Sequence, residues 1–266
     1  MKKKSGGNII SVLLAFLMVF PLLAGMMPTV LAVPGDDSVY FDVDFTDVDG
    51  KTVYENSSFG HVGTLFGNAK VEYSDIFGKE VLDTDGWGIN GTATGSYLHF
   101  PYNENLRLKN TKALGMEMVL MFRSDNTKHG GNMNPFGKND ASDYEIVTTN
   151  NTLRVSVYID GAYRYVDYRY EVGKVYYVAG SYDGQYVYMY VNGEEVGRTP
   201  ATGDIVLSSN TALAIGANPE RLVNVTAFFD GLVDSLKLRN EPLTAKEVAD
   251  KYAELSQRID FSKVHF

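Results

Sequence analysis

Residues 173–193 read GKVYYVAGSYDGQYVYMYVNG, and this stretch decides the fold. Val175, Tyr177 and Ala179 alternate with Tyr176, Val178 and Gly180; beyond Asp183-Gly184, Val187, Met189 and Val191 alternate with Tyr186, Tyr188 and Tyr190. Successive side chains of a strand point to opposite faces, so each run has one face for a core. Asp183-Gly184 and Asn192-Gly193 accept positive φ at low cost and close tight antiparallel turns. The stretch predicts a β-hairpin followed by a further reversal of the chain.

The same signal recurs outward from it. Met116, Met118, Leu120 and Phe122 alternate with Glu117, Val119, Met121 and Arg123, and Leu153, Val155, Val157 and Ile159 alternate with Arg154, Ser156, Tyr158 and Asp160. Asn150-Asn151 and Asp160-Gly161 supply turns between such runs. Short strands at this spacing predict an all-β, antiparallel two-sheet sandwich rather than a βαβ arrangement. One helix is expected. Thr244 and Glu247 have capping-box spacing, and Val248, Tyr252 and Leu255 then share one side of a helix that should dock on the sandwich edge. In residues 256–266, Ile259, Phe261, Val264 and Phe266 read as a last strand, a tail or the start of a linker.

The central hairpin resembles that of the laminin-G-like, concanavalin A-like jelly-roll family, G-x-W-x-x-V-A-x-T-Y-D-G followed by V-x-L-Y-V-N-G. Val178-Ala179, Tyr182-Asp183-Gly184 and Tyr190-Val191-Asn192-Gly193 match, while Val175 stands where the family has Trp. Leu213-Ala214-Ile215-Gly216 is similar to L-x-I-G, and Phe229-Asp230-Gly231-Leu232-Val233-Asp234 to F-x-G-x-I-D. The stretch from Pro242 to Val248 is similar to the closing L-T-x-x-E-I, and that from Asn56 to Leu65, less faithfully, to D-S-S-G-N-G-x-x-G-T-L. The resemblance implies a concanavalin A-like jelly roll over residues 33–255, a fold that hosts lectins, enzymes and adhesion modules alike.

Residues 1–32 read as a bacterial-type signal peptide. Lys2, Lys3 and Lys4 precede an apolar stretch over residues 9–24, and Val30-Leu31-Ala32 fits a small-residue cleavage signal. The alternative is an uncleaved anchor, since the apolar stretch approaches the roughly 20 residues that span a bilayer. Cleavage predicts a secreted or cell-surface protein with no membrane insertion. The chain has no cysteine, so stability must come from the core. Loss of three lysines takes the formal net charge from −9 to −12. That disfavours nucleic acid and anionic membranes as partners and works against self-association, so a monomer is expected.

Catalytic signatures are sparse. Glucanases of the resembling superfamily carry E-x-D-x-x-E, whose alternation sets nucleophile and acid about 5–5.5 Å apart for retaining hydrolysis; no such run is present. Asp143 with Glu145 and Glu194 with Glu195 are the nearest acidic pairs, and both read as solvated. His61, His99, His129 and His265 lack the spacing of a transition-metal site, and no G-x-S-x-G elbow occurs.

Calcium is the better metal expectation. Asp42, Asp44, Asp47 and Asp49 crowd the first strand and turn, offering the hard oxygen donors that Ca²⁺ takes. An EF-hand is excluded, because with Gly50 at the sixth place the first and twelfth fall on Phe45 and Asn56. The family resemblance implies a structural cation held by the acids at Glu55 and Asp234, with Glu replacing the usual Asp at the first. Asp44, Glu55 and Asp234 are therefore the expected ligands, and turn capping is the alternative use of these acids.

Tyrosine is abundant, with 18 Tyr and 14 Phe against one Trp. Tyr186, Tyr188 and Tyr190 share a strand face, and Tyr163-Arg164-Tyr165 and Tyr168-Arg169-Tyr170 form a second aromatic cluster with guanidinium donors. Rings stack on the apolar face of a pyranose while phenol and guanidinium groups bond its hydroxyls. Tyr163, Arg164, Tyr165, Tyr186, Tyr188 and Tyr190 are the expected ligand contacts, with the stretch from Lys128 to Tyr144 as an exposed rim. Cross-strand packing is the competing use of such tyrosines.

Three functions follow. A noncatalytic secreted module recognising carbohydrate or a cell surface leads, because it needs no acid/base pair. A polysaccharide hydrolase or lyase of the same sandwich fold needs a constellation that spacing does not reveal. An accessory domain of a larger secreted enzyme is the third.

Overall fold

The computed structural model describes residues 38–89, 94–125, 131–138, 141–149, 151–219 and 225–265. Strands are numbered in chain order. One eight-stranded antiparallel sheet runs β15 (Glu194–Pro200), β14 (Tyr186–Val191), β13 (Val175–Tyr182), β8 (Leu114–Phe122), β17 (Asp230–Arg239), β6 (Lys79–Asp85) and β5 (Lys70–Ser74), with β1 (Val39–Val43) also paired to β17. The other sheet has nine strands: β12 (Ala162–Arg169), β11 (Thr152–Ile159), β10 (Tyr144–Thr149), β9 (Asn132–Lys138), β16 (Leu213–Ile215), β7 (Tyr97–Phe100), β4 (Val62–Phe66), β3 (Thr52–Tyr54) and β2 (Val48–Asp49). The predicted two-sheet sandwich is the observed architecture.

The core fills the space between the sheets, and the alternation in the sequence says which side chains enter it. Val187, Met189 and Val191 from β14 meet Met116, Met118, Leu120 and Phe122 from β8 and Leu153, Val155 and Val157 from β11. The turns use positive φ where Asp, Asn and Gly were read: Asp160 (47°) with Gly161 (81°), Asn192 (49°) with Gly193 (87°), and Gly184 (87°). In the β13–β14 connection, the Asp183 carboxylate accepts from the backbone N–H groups of Gln185 and Tyr186, both at 2.8 Å.

The only α-helix among the described residues, α1 (Ala245–Leu255), starts at the predicted capping box. Thr244 Oγ1 accepts from Glu247 N at 3.2 Å, and Glu247 Oε2 accepts from Thr244 N at 2.8 Å. Its placement differs from expectation. Val248 and Leu255 pack with Val119, Met121, Tyr177, Ala179 and Tyr190 on the outer face of the eight-stranded sheet. The helix lies over that face because β8 and β13 present apolar side chains on both sides, and the outer set requires a cover. Ile259 and Phe261 extend the cover, and His265 N donates to Gly173 O at 2.8 Å, so the tail is packed onto the sandwich.

Candidate functional site

Antiparallel register places side chains of paired residues on one side of a sheet. Across the outer face of the nine-stranded sheet, Tyr165, Ser156, Glu145, Gly137, Ala214, His99 and Thr64 therefore form one row from β12 to β4. Part of the row is covered. Ala217, Val225 and Phe228, from the segment between β16 and β17, pack on Tyr97 and Ala214. They press so closely that a Cβ on Gly137 would lie 2.7 Å from Ala217 O. Among the described residues, the end of the face formed by β10, β11 and β12 is not part of this apolar cluster.

That open end carries the candidate site. The turn at Asp160-Gly161 fixes the β11–β12 register so that Arg154 lies opposite Asp167, Ser156 opposite Tyr165 and Tyr158 opposite Tyr163. Arg154 Nε and Nη2 donate to the two Asp167 carboxylate oxygens at 2.7 and 2.9 Å, the bidentate fork that fixes a guanidinium plane. The guanidinium carbon lies 3.5 Å from the centroid of the Tyr165 ring, a cation–π stack. Among the described residues no hydrogen bond ties Arg154 Nη1, so its donors remain available. The Asp167 hydrogen bond, partly opposed by burial, raises the Arg154 pKa further, with smaller contributions from the Asp167, Tyr165 and Glu145 charges. Tyr163 and Tyr165 are 40% and 42% exposed, large values for rings of that size. Tyr163 packs edge-on against Tyr158, and its hydroxyl accepts from Ala141 N at 3.2 Å.

Glu145 lies two strands from Tyr165, roughly 10 Å at ordinary strand spacing. Its carboxylate accepts from Asn134 Nδ2 at 2.7 Å. Both acids of the Asp143 and Glu145 pair, expected in solvent, are buried, at 0% and 8% exposure. Glu145 bonds Asn134 from within β10, whereas Asp143 precedes the strand at a φ of 51° and enters a fully buried ion pair with Lys138 at 2.7 Å. Glu194 and Glu195 are exposed as expected.

The tyrosine expectations divide. Arg164 faces Val157 across the β11–β12 ladder and so lies on the opposite side of the sheet from Tyr163 and Tyr165. The guanidinium that serves those rings is Arg154. Tyr168 packs against the core and Tyr170 stacks on Phe122 at 4.1 Å. Tyr186, Tyr188 and Tyr190 form a ladder on the other sheet, with centroids 5.9 and 6.2 Å apart, but α1 and the tail bury Tyr190 to 4% exposure. It is a packing residue. Tyr186 and Tyr188 stay half-buried, with the Arg198 guanidinium 5.9 and 5.3 Å from their rings. The expected rim is largely strand β9, and its Asn134 is buried; Lys128, Gly130 and Asn139 lie outside the described residues.

A second concavity of about 580 Å³ lies on the eight-stranded sheet beside α1, lined by Glu117, Tyr177, Asp234, Arg239, Glu247 and Arg258 among others. Its charges largely satisfy one another, through Lys237 to Asp42 (2.9 Å), Arg239 to Glu247 (3.4 Å) and Arg258 to Asp234 (2.6 Å). Of the expected calcium ligands, Asp44 and Asp234 line it and Glu55 does not. Glu55 accepts from the backbone N–H groups of Ser57 and His61 at 2.7 and 2.8 Å, and Asp44 accepts from Thr46 and Asn56. Partial burial works to raise the Asp44 carboxyl, but these hydrogen bonds and the Lys79 charge hold it below the usual range. Among the described residues, no group of three or more His, Cys, Asp or Glu side chains is arranged to hold a metal ion. Asp44, Glu55 and Asp234 accept hydrogen bonds from Asn56, Ser57 and Arg258 respectively.

The described strands form a two-sheet jelly roll whose β12 carries the exposed rings of Tyr163 and Tyr165. The sequence profile of the concanavalin A-like lectin/glucanases superfamily matches residues 92–249, more than half of the chain, and the protein belongs to this laminin-G-type family. Among solved structures, it is similar to the binding domain of botulinum neurotoxin DC in complex with rat synaptotagmin II, with a TM-score of 0.63 and 11% identity. That match covers 82% of this chain and 52% of the other. The binding domain of Paraclostridial Mosquitocidal Protein 1 matches with a TM-score of 0.62 and 11% identity, covering 82% and 52%. Neurotoxin DC in complex with SialylT matches with a TM-score of 0.61 and 10% identity, covering 82% and 51%. The chain thus spans about half the length of these solved chains, and the likeness shows the fold. No curated protein matches in sequence. No described helix is long and apolar enough to cross a membrane.

Proposed function

We propose that this protein is a noncatalytic, exported recognition module that binds a carbohydrate or cell-surface glycan on the outer face of β10, β11 and β12. The observation that carries this reading is Arg154: clamped by Asp167 and stacked on the exposed ring of Tyr165. Planar donors fixed in advance lose little entropy when they bond sugar hydroxyls, and adjacent rings offer stacking surface. The similar toxin domains, solved with a protein receptor and with SialylT, support a surface-recognition role for the fold. Export through the leader at residues 1–32 would bring the module to such ligands.

The test is a glycan-array screen of the protein, followed by titration of any hit against Arg154→Ala and Tyr165→Ala. Specific retention lost in both variants supports the reading. Retention unchanged in both removes this face, and no binding to any glycan moves the assignment to a protein ligand.

A further inference from the structure

The disagreement at the calcium position has a specific content. The family resemblance places a divalent cation between the acids that here are Glu55 and Asp234. In this chain two side-chain cations meet at Asp234. Lys79 Nζ donates to the backbone carbonyl of Asp44 at 2.6 Å and to that of Asp234 at 3.4 Å. Arg258 Nη1 and Nη2 donate to the two carboxylate oxygens of Asp234 at 2.6 and 3.3 Å, and Nη1 also bonds Phe77 O at 2.7 Å. Asp234 is 2% exposed and follows Val233 at the irregularity in the β17–β8 register, so its carboxylate is held in the protein by this pairing. Glu55 spends its remaining acceptors on Asp42 N at 3.2 Å and the Ser57 hydroxyl at 2.9 Å.

We infer that Lys79 and Arg258 replace the family's divalent ion, so that two fixed positive charges tie the β1–β2 connection, β6 and β17 together and the fold is independent of calcium. A Ca²⁺ ion needs six to eight oxygens at about 2.3–2.6 Å. To reach the Asp234 carboxylate it must displace a forked guanidinium, and to reach the Asp44 and Asp234 carbonyls it must displace an ammonium. Both resident cations also repel it. Arg258 lies beyond α1, so the C-terminal tail performs the bridging an ion would otherwise perform. The structural consequence is reciprocal: what chelators cannot remove, truncation of the tail can. This inference does not depend on which ligand the opposite sheet binds.

The experiment compares thermal unfolding of the protein in millimolar CaCl₂ and in excess EDTA, with calcium titration calorimetry, and repeats the EDTA melt for Arg258→Met and Lys79→Met. The expected result is one melting temperature for the parent in both solutions, no saturable heat, and a melting temperature lower by several degrees in each variant. A calcium-dependent rise in the parent, or a saturable binding heat, overturns the replacement. An Arg258→Met protein as stable as the parent overturns the bridging role. Should either variant fail to fold, the parent's response to calcium still decides the replacement, and Arg258→Lys, which keeps charge but loses the fork, is expected to melt below the parent.

Discussion

The buried pair of Lys138 and Asp143 allows a prediction with a magnitude. Both side chains are fully buried, and Nζ lies 2.7 Å from Oδ1. The other carboxylate oxygen accepts from Ser208 N at 2.8 Å, while Asp143 N and O bond Val206 O and Tyr158 N at 2.7 and 2.9 Å. The pair thus joins the end of β9 to the residue before β10. Removing one partner of a buried ion pair leaves an uncompensated charge at a cost of about 3–5 kcal/mol. Lys138→Met should destabilise by that amount, which for a domain of this size is a fall of roughly 6–20 °C in Tm. Asp143→Asn alone should also destabilise. Asn tolerates the positive φ at this position (51°) and its oxygen can still accept from Ser208, so the double variant removes both charges while keeping the turn. The double variant should lose less than the sum of the singles, with a coupling of about 1–3 kcal/mol. Urea unfolding followed by circular dichroism measures each corner of the cycle. Additive losses, or a Lys138→Met cost below about 1 kcal/mol, would refute the reasoning.

Three further outcomes are expected. Arg154→Lys, which keeps charge but cannot make the fork to Asp167, should weaken glycan binding by about tenfold or more (about 1.4 kcal/mol), while Arg164→Ala on the other side of the sheet should not; calorimetric titration of an array hit distinguishes them. Thr244→Ala removes the α1 cap and should cost about 1 kcal/mol in urea unfolding, with Glu247→Ala similar because the two bonds are reciprocal. Stability should fall as pH drops below the ordinary histidine value near 6.5, since burial lowers the pKa of His61 and His99 in the fold and the unfolded chain then binds more protons. His99, whose Nε2 is buried without a partner among the described residues, carries part of this slope. His99→Phe should flatten a Tm profile taken between pH 7.5 and 5, and an unchanged profile would count against it.

Much of the fold was legible because strands alternate. The interior sets of β8, β11 and β14 are the ones the sequence alternation names, and the hairpin turns fall on Asp-Gly and Asn-Gly. Even the Arg154–Asp167 pair follows from local information. A two-residue turn at Asp160-Gly161 makes Ile159 face Ala162, and counting outward makes Arg154 face Asp167. Reading Tyr163-Arg164-Tyr165 as one cluster ignored the same alternation, which sends the middle residue to the other face. What was not legible depends on long-range packing. Nothing local says that α1 covers β13 and β14, so Tyr190 looked like Tyr186. Asp143 and Glu145 looked solvated because their partners, Lys138 and Asn134, are set by how β9 pairs with β10. Arg258, which answers Asp234, comes from a tail that the sequence left open between strand, tail and linker.

Both described ends of the chain lie on the eight-stranded sheet: β1 at one of its ladders, α1 and the packed tail on its outer face. The face bearing Tyr163, Arg154 and Tyr165 belongs to the opposite layer. α1 and the packed tail therefore lie on the other side of the core from the exposed rings of Tyr163 and Tyr165. For the experimenter it means that immobilisation through the C-terminus leaves the proposed surface free to meet its ligand.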